Sequence, residues 1–380
     1  MTPASGPGPA PPGGAIVVPR VGFTLPVEDG LSAPQLVAVA QGVEAAGFDT
    51  LFVGEVAGPE VFALLGMVAA STQRIRIGSG IVAVYTRSPA LTAMGFATLS
   101  SMAPGRVVAG LGASSPIVVG GWHGIPFEAP LATTRAFVGA LRAVLAGGRV
   151  DRDTERFPIR GFRLQMAPGG AVPVVLGAIN DKMLALAGEV ADGVFLTWCT
   201  PGEVPGKLAV VRDAARRAGR DPASLEVICS FWAYAGPEPE RALDRMRRFV
   251  LAYAMVPTHQ HAFVQAFPGL QDAADAWAAG RRADALALVG DDVVQALCAV
   301  GDGDTVARRV RELHAAGVDV PVLLAAGAEA GDPDAPLRTA METAEALGLT
   351  SSGGAAGSGG AAGAQPETTG TGALAPTPGS

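Results

Sequence analysis

Two segments of the chain carry side chains that could exchange a proton with a bound substrate. In GEVAGPE, Glu55 follows an apolar run, and a carboxylate in apolar surroundings has a raised pKa that suits acid or base catalysis. In GGWHGIPF, His123 could donate a proton and Trp122 could form a wall of the pocket. Glu55 could instead bond to backbone amides, and Trp122 could instead pack its loop against the rim of the fold. We take Glu55 and His123 as candidate catalytic residues and Trp122 as a candidate substrate contact.

The segment LGAINDKML has the features of a phosphate site, because a glycine ends an apolar run and a helix begins a few residues later. The first turn of a helix has unpaired N–H groups and the positive end of the helix dipole. A plain turn between a strand and a helix is the alternative interpretation. The predicted cradle consists of the backbone of Gly177, Ala178, Ile179 and Asn180, with Lys182 nearby.

The segment IRIGSGIVAVYTRSP contains two glycines, Gly78 and Gly80, inside a β-strand pattern. Glycine weakens a strand, so it indicates a bulge or a ligand that lies close to the backbone. Alternatively, both glycines make room for neighbouring side chains of the core. Directly after them, Thr86 and Arg87 stand where a ligand would lie, and arginine can pair bidentately with a phosphate or carboxylate. An exposed surface arginine is the ordinary alternative.

Two further segments end apolar runs with small polar residues. GLGASSP lacks the third glycine of a dinucleotide fingerprint and lies too late in the chain for one, so it does not indicate a Rossmann site. In FLTWC, alternation along a strand directs one of Thr197 and Trp198 inward and the other outward, and we predict that Thr197 faces the ligand.

Eight apolar, β-branched runs alternate with longer amphipathic stretches, which indicates parallel strands connected by helices. We predict a closed (β/α)8 TIM barrel, with an open doubly wound sheet as the alternative. Residues 113–131 and about 255–300 are too long for simple loops and are predicted to be insertions. The strand runs are 21–25, 50–54, 74–81, 107–112, 172–177, 193–198, 225–236 and 320–326.

Composition excludes several classes of function. The 28 basic and 35 acidic residues give a net charge of −7 without a basic run, which argues against nucleic acid or anionic membrane as a partner. The three cysteines lack the spacing of a metal site or a disulfide and suit a reduced, cytoplasmic protein; they are Cys199, Cys229 and Cys298. The close pair His259 and His261 is not accompanied by further residues at metal-ligand spacing, so we expect no metal site there. Residues 1–18 and 350–380 are rich in small residues and proline, so we expect a disordered leader and tail around one domain, 19–349.

Five phrases, in order along the chain, resemble the luciferase-like flavin and deazaflavin superfamily. The similarity is greatest to its F420-dependent oxidoreductases, which resemble methylene-tetrahydromethanopterin reductase. The phrases are GVEAAGFDTLFVGEV, TQRIRIGSGI, YTRSPALTAM, GRVVAGLGASSP and VPVVLGAINDKMLALAGEVADGVFLTW.

The resemblance implies a TIM barrel that binds coenzyme F420 or FMN at the carboxyl ends of its strands, commonly as a dimer. It also implies a bulge with a non-prolyl cis peptide near Gly80–Ile81, which would back the central ring of the cofactor. The GLGASSP loop, with Gly112, Ser114 and Ser115, would help to bind the cofactor phosphate or tail. Many relatives have histidine after the acidic residue of the second strand, whereas this chain has Val56.

The leading hypothesis is an F420-dependent oxidoreductase that transfers hydride between the deazaflavin C5 and a small organic substrate of unknown identity. An FMN-dependent monooxygenase is the second hypothesis. A non-catalytic protein that stores or senses F420 or flavin is the third, since a fold alone does not establish turnover.

Overall fold

The computed structural model describes residues 19–349, and its centre is a closed barrel of eight parallel strands. Each strand pairs with the next, and Gly22 at the start of the first strand pairs with Val322 of the last, which closes the ring. The closed barrel confirms the predicted fold, and the open sheet was wrong. The predicted leader and tail lie outside the described residues. The barrel strands are β1 Gly22–Thr24, β2 Thr50–Val53, β3 Arg76–Ser79, β4 Val107–Gly112, β5 Val174–Gly177, β6 Gly193–Thr197, β7 Glu226–Ala235 and β8 Val320–Ala325.

Helices connect the strands and cover the outside of the barrel. No helix within residues 19–349 combines the length and the apolar character needed to cross a membrane. The α-helices are α1 Ala33–Ala45, α2 Val61–Ser71, α3 Pro89–Met102, α4 Pro130–Leu145, α5 Asp181–Val190, α6 Val204–Arg217, α7 Pro239–Ala254, α8 Gln260–Ala266, α9 Leu270–Ala278, α10 Arg282–Ala287, α11 Asp291–Leu297, α12 Gly303–Ala315 and α13 Asp334–Leu347.

Both predicted insertions have structure of their own. The segment 113–131 contains a π-helical turn, Ile117–Trp122, and the segment 255–300 contains α8 to α11. Four strands were not predicted, because they are short and lack a long apolar run. They are Val82–Ala83, which pairs with β4; the antiparallel hairpin Arg149–Arg152 with Ile159–Arg163; and Cys298–Gly301, which pairs with β7.

The barrel interior is apolar in its middle layer and charged at the amino ends of the strands. Phe52 and Phe195 meet edge to face with ring centroids 4.9 Å apart. At the amino ends, Glu226 accepts from Arg76 at 2.8 Å. Although burial opposes ionisation there, hydrogen bonds and charges from the neighbouring arginines keep the pKa of Glu226 below its ordinary value. This end of the barrel is therefore closed by ion pairs, which leaves the carboxyl ends for a ligand site.

Candidate active site at the carboxyl ends of the strands

The third strand carries a one-residue bulge where it reaches the barrel mouth. Gly78 pairs with Val108, but the next pair is Val82 with Leu111, so four steps along one strand match three along the other. The hydroxyl of buried Ser79 occupies the gap, donating to the carbonyl of Gly110 at 2.7 Å and accepting from its amide at 3.0 Å. The Gly80–Ile81 peptide bond within the bulge is cis, as the resemblance implies.

Glycine ends or directly follows four neighbouring strands, β2 to β5, and these glycines lie around Ile81. A Cβ atom on Gly112 would lie 3.0 Å from the Ile81 side chain, and one on Gly177 would lie 3.3 Å from it. A Cβ on Gly54 would lie 3.5 Å from the carbonyl oxygen of Gly80. Half of the mouth therefore presents backbone and one isoleucine side chain, a surface on which a flat ring can lie.

The two glycines of β3 have a simpler explanation than close approach of a ligand. A Cβ on Gly78 would lie 2.9 Å from the Val108 carbonyl oxygen, and one on Gly80 would lie 3.1 Å from Phe52. Both glycines thus make room for the barrel wall, which is the alternative interpretation given above. Gly80 is nevertheless partly exposed at the mouth, as is Ile81.

Glu55 lies beside the bulge in an ion-paired cluster. Its Oε1 accepts from Arg87 at 2.6 Å, and the same arginine nitrogen contacts Glu60. Burial raises the pKa of Glu55, while the charge of Arg87 opposes the shift. The raised pKa agrees with the expectation for Glu55, and a hydrogen bond from the amide of Val61 agrees with the alternative of a structural carboxylate, so its catalytic role stays a prediction. The alternative of a surface Arg87 is wrong, since its side chain is only 15% exposed.

His123 lies near enough to Glu55 for its charge to favour the ionised form of the Glu55 carboxyl. Trp122 is 55% exposed, so packing against the rim does not account for it. Tyr85, which follows the short strand Val82–Ala83, holds the segment that carries both residues, because its hydroxyl donates to the carbonyl of Glu128 at 2.6 Å. The exposed faces of Trp122 and His123 are thus available to a substrate.

The small polar residues near this loop differ in the hydrogen bonds that their hydroxyls form. Ser115 is buried and its hydroxyl accepts from the amide of Val118 at 3.3 Å, so it supports the π-helical turn. Ser114 is partly exposed and has a left-handed backbone, with φ of 63°. Thr86 donates to the carbonyl of Ala83 at 3.2 Å. Of the three hydroxyls, only that of Ser114 has no hydrogen-bond partner within the described part of the chain.

The predicted phosphate cradle lies at the amino end of α5. The amide of Ala178 is not free, because it donates to the Phe195 carbonyl at 3.1 Å as part of the barrel. Ile179 and Asn180 directly precede α5, which begins at Asp181, and Lys182 is exposed in its first turn. Lys207 of α6 was not predicted, yet its Nζ donates to the carbonyl of Ile179 at 3.2 Å. Lys207 was missed because it lies far from the cradle residues along the chain. The only sequence signal for it was its position on the next predicted helix.

The far side of the mouth is formed by β6 and β7. Thr197 is partly exposed and its hydroxyl accepts from Ser230 at 2.9 Å, whereas Trp198 is buried and follows the end of β6 with a left-handed backbone, φ 52°. Trp198 packs on Tyr253 with ring centroids 4.8 Å apart. Asn180 donates to the carbonyl of Thr258 at 3.0 Å, which joins the second insertion to the cradle. The insertion therefore covers one edge of the mouth.

Comparison with known proteins agrees with this architecture. Residues 16–320 match the model of the luciferase-like monooxygenase family. The chain belongs to this family. A Mycobacterium tuberculosis protein named as a coenzyme F420-dependent oxidoreductase is 31% identical over 328 residues, covering 78% of this chain and 91% of that protein. The 5,10-methylenetetrahydromethanopterin reductase of Methanolobus tindarius is 29% identical over 286 residues, covering 73% and 86%.

Solved structures of luciferase-like proteins share the fold. The F420-dependent tetrahydromethanopterin reductase of Methanopyrus kandleri superposes with a TM-score of 0.71 at 23% identity, covering 85% of this chain and 97% of that one. An F420-dependent secondary alcohol dehydrogenase, solved with an F420–acetone adduct, gives a TM-score of 0.71 at 18% identity, covering 87% and 99%. Both comparisons show that the overall fold is shared.

Proposed function

We propose that this luciferase-like protein is an oxidoreductase that exchanges hydride between coenzyme F420 and a small organic substrate. The observation that carries the proposal is the barrel mouth at the ends of β2 to β5, where Gly54, Gly80, Gly112 and Gly177 leave Ile81 as the side chain among them. The relatives named as F420-dependent support the choice of F420 over FMN as the cofactor.

The residues at the mouth fit the cofactor. Gly80 and Ile81 would hold its ring by main-chain contact, and the glycines that end β4 and β5 leave room for the Ile81 side chain. The amides from Ile179 onward, with Lys207 and Lys182, would hold its phosphate. Gly112 and Ser114 would contact the tail. When bound, F420 supplies a carbon that accepts or gives hydride, and the protein orients the reactants and supplies hydrogen bonds.

The substrate would occupy the space between Trp122 and Thr197, on the open side of the ring. Glu55 is placed to exchange a proton with the substrate, since its raised pKa suits that task. His123 would serve as the second proton-handling group. Arg87 is paired with two carboxylates, so we assign it to the support of Glu55 and not to the cofactor.

We also propose that the protein works as a cytoplasmic homodimer. Leu91 and Met94 on α3 are exposed, as is Met67 on the neighbouring helix α2. Exposed apolar side chains on adjacent helices favour burial against a second copy. The three free cysteines are buried and suit a reducing compartment. Light scattering should give twice the chain mass, and Met94→Lys should yield monomers; a monomeric parent protein would contradict the dimer.

The decisive experiment is a titration of the purified protein with F420 and, separately, with FMN. We expect saturable F420 binding with one site per chain, at a Kd at least tenfold below that for FMN, a difference of about 1.4 kcal/mol. Oxidation or reduction of bound F420 by a panel of alcohols and carbonyl compounds would then establish turnover. Preferential FMN binding would favour the monooxygenase, and F420 binding without turnover would favour a carrier.

A further inference from the structure

Arg87 joins two carboxylates at the mouth with a single terminal nitrogen. That nitrogen lies 2.6 Å from Oε1 of Glu55 and also contacts Oε1 of Glu60. The side chains of Arg87 and Glu55 are 15% and 19% exposed, so the ion pair is largely shielded from water. A shielded pair interacts more strongly than a surface pair, for which screening removes most of the energy.

We propose that Arg87 and Glu60 are positioning residues for Glu55. The guanidinium fixes one oxygen of Glu55 at the rim, and Glu60 takes up part of the positive charge, so that Glu55 can still accept a proton from the substrate. The inference rests on the proposed function for its catalytic meaning, but the geometry and its test need neither cofactor nor substrate.

The cluster is fixed from several sides. Oε2 of Glu60 accepts from the amide of Ala63 at 2.7 Å and caps α2, so the carboxylate cannot turn away from Arg87 without loss of the cap. The guanidinium carbon of Arg87 lies 5.3 Å from the ring centroid of Phe62, in a cation–π arrangement. Glu60 and Phe62 thus restrain both Arg87 and the carboxylate that it holds.

The charges that face Glu55 act in opposite directions. Burial raises its pKa, Arg87 lowers it, Glu60 raises it, and a hydrogen bond from the amide of Val61 together with His123 lowers it. Burial is the largest of these influences, and Arg87 is the largest that opposes it. Glu60 acts in the same direction as burial and offsets part of the effect of Arg87, and the pKa of Glu55 is raised.

The test is an infrared titration of the protonated carboxyl band, with the contribution of Glu55 isolated as the difference between the parent protein and Glu55→Gln. Glu60→Gln removes a like charge, so the midpoint of Glu55 should move to lower pH. Arg87→Gln removes an opposite charge, so the midpoint should move to higher pH. Shifts of opposite sign from two residues in contact would not follow from general structural damage.

The exposed ion pair Arg135–Glu189 provides the matched control, and Glu189→Gln should leave the Glu55 midpoint unchanged. If Arg87→Gln does not fold, the sign of the shift in Glu60→Gln decides alone. Unchanged midpoints, or shifts of the same sign in both variants, would overturn the proposal. Failure of the protein to bind F420 would count against the proposed function and leave this measurement unaffected.

Discussion

Replacing Ser79 with alanine tests whether the bulge of β3 is held by the hydrogen bonds of one buried hydroxyl. The hydroxyl donates to the carbonyl of Gly110 at 2.7 Å and accepts from its amide at 3.0 Å. The alanine variant leaves both backbone groups buried without a partner. Each unsatisfied group costs about 1–3 kcal/mol, so for two groups we expect the free energy of unfolding to fall by about 2–6 kcal/mol.

Ser100 provides a matched control because it is also fully buried, but its hydroxyl has no hydrogen-bond partner within the described residues. Ser100→Ala should change the free energy of unfolding by less than about 0.5 kcal/mol, or increase it. Urea unfolding of both variants measures the difference in the free energy of unfolding.

F420 titration of Ser79→Ala should show affinity reduced about tenfold, since the backbone that contacts the cofactor ring would no longer be held in place. Equal stability of the two variants, or unchanged F420 affinity in Ser79→Ala, would refute this reasoning.

Three further predictions follow from particular contacts. Lys207→Gln should weaken F420 binding about tenfold and reduce the salt dependence of that binding, whereas the conservative Lys207→Arg should retain most of the affinity. Equal Kd values for the parent protein and Lys207→Gln would exclude a role of Lys207 in binding the cofactor phosphate. Thr134→Val should raise the free energy of unfolding by about 1 kcal/mol in urea titrations, because the buried Thr134 hydroxyl lacks a partner in the described structure, and a loss of stability would contradict this. The pKa of Glu226 is lowered in the folded state, so the stabilisation from its ionised form is present at neutral pH and is lost as pH falls through the folded pKa. Glu226→Gln should therefore narrow the difference between the urea midpoints measured at about pH 7 and at about pH 4. An unchanged difference would show that this ion pair does not contribute to stability.

The barrel could be predicted from the sequence because its strands are short runs of β-branched and apolar residues between amphipathic stretches. The hairpin 149–163 could not, since strands such as Arg149–Arg152 are charged and exposed and bury little apolar surface. Sequence also left two explanations open for Gly80. Only the position of Phe52 on the neighbouring strand β2 shows that the barrel wall itself needs the glycine.

The candidate site was predictable where neighbours in sequence are neighbours in space. The bulge and the amino end of α5 are local features, so glycine positions and helix signals indicated them. The partners of Arg87 were not predictable, because Glu55 lies 32 residues away in the chain and reaches it only through the barrel. Lys207 was missed for the same reason, since it lies 28 residues from Ile179.

A crystal structure with bound F420 tests the central claim most directly, namely that main-chain atoms at the mouth form the seat of the cofactor ring. We expect the ring against the Gly80–Ile81 backbone, its phosphate at the amides from Ile179 onward, and open space toward Thr197. A ring bound elsewhere, or one held only by charged side chains with no contact to the bulge, would contradict the account.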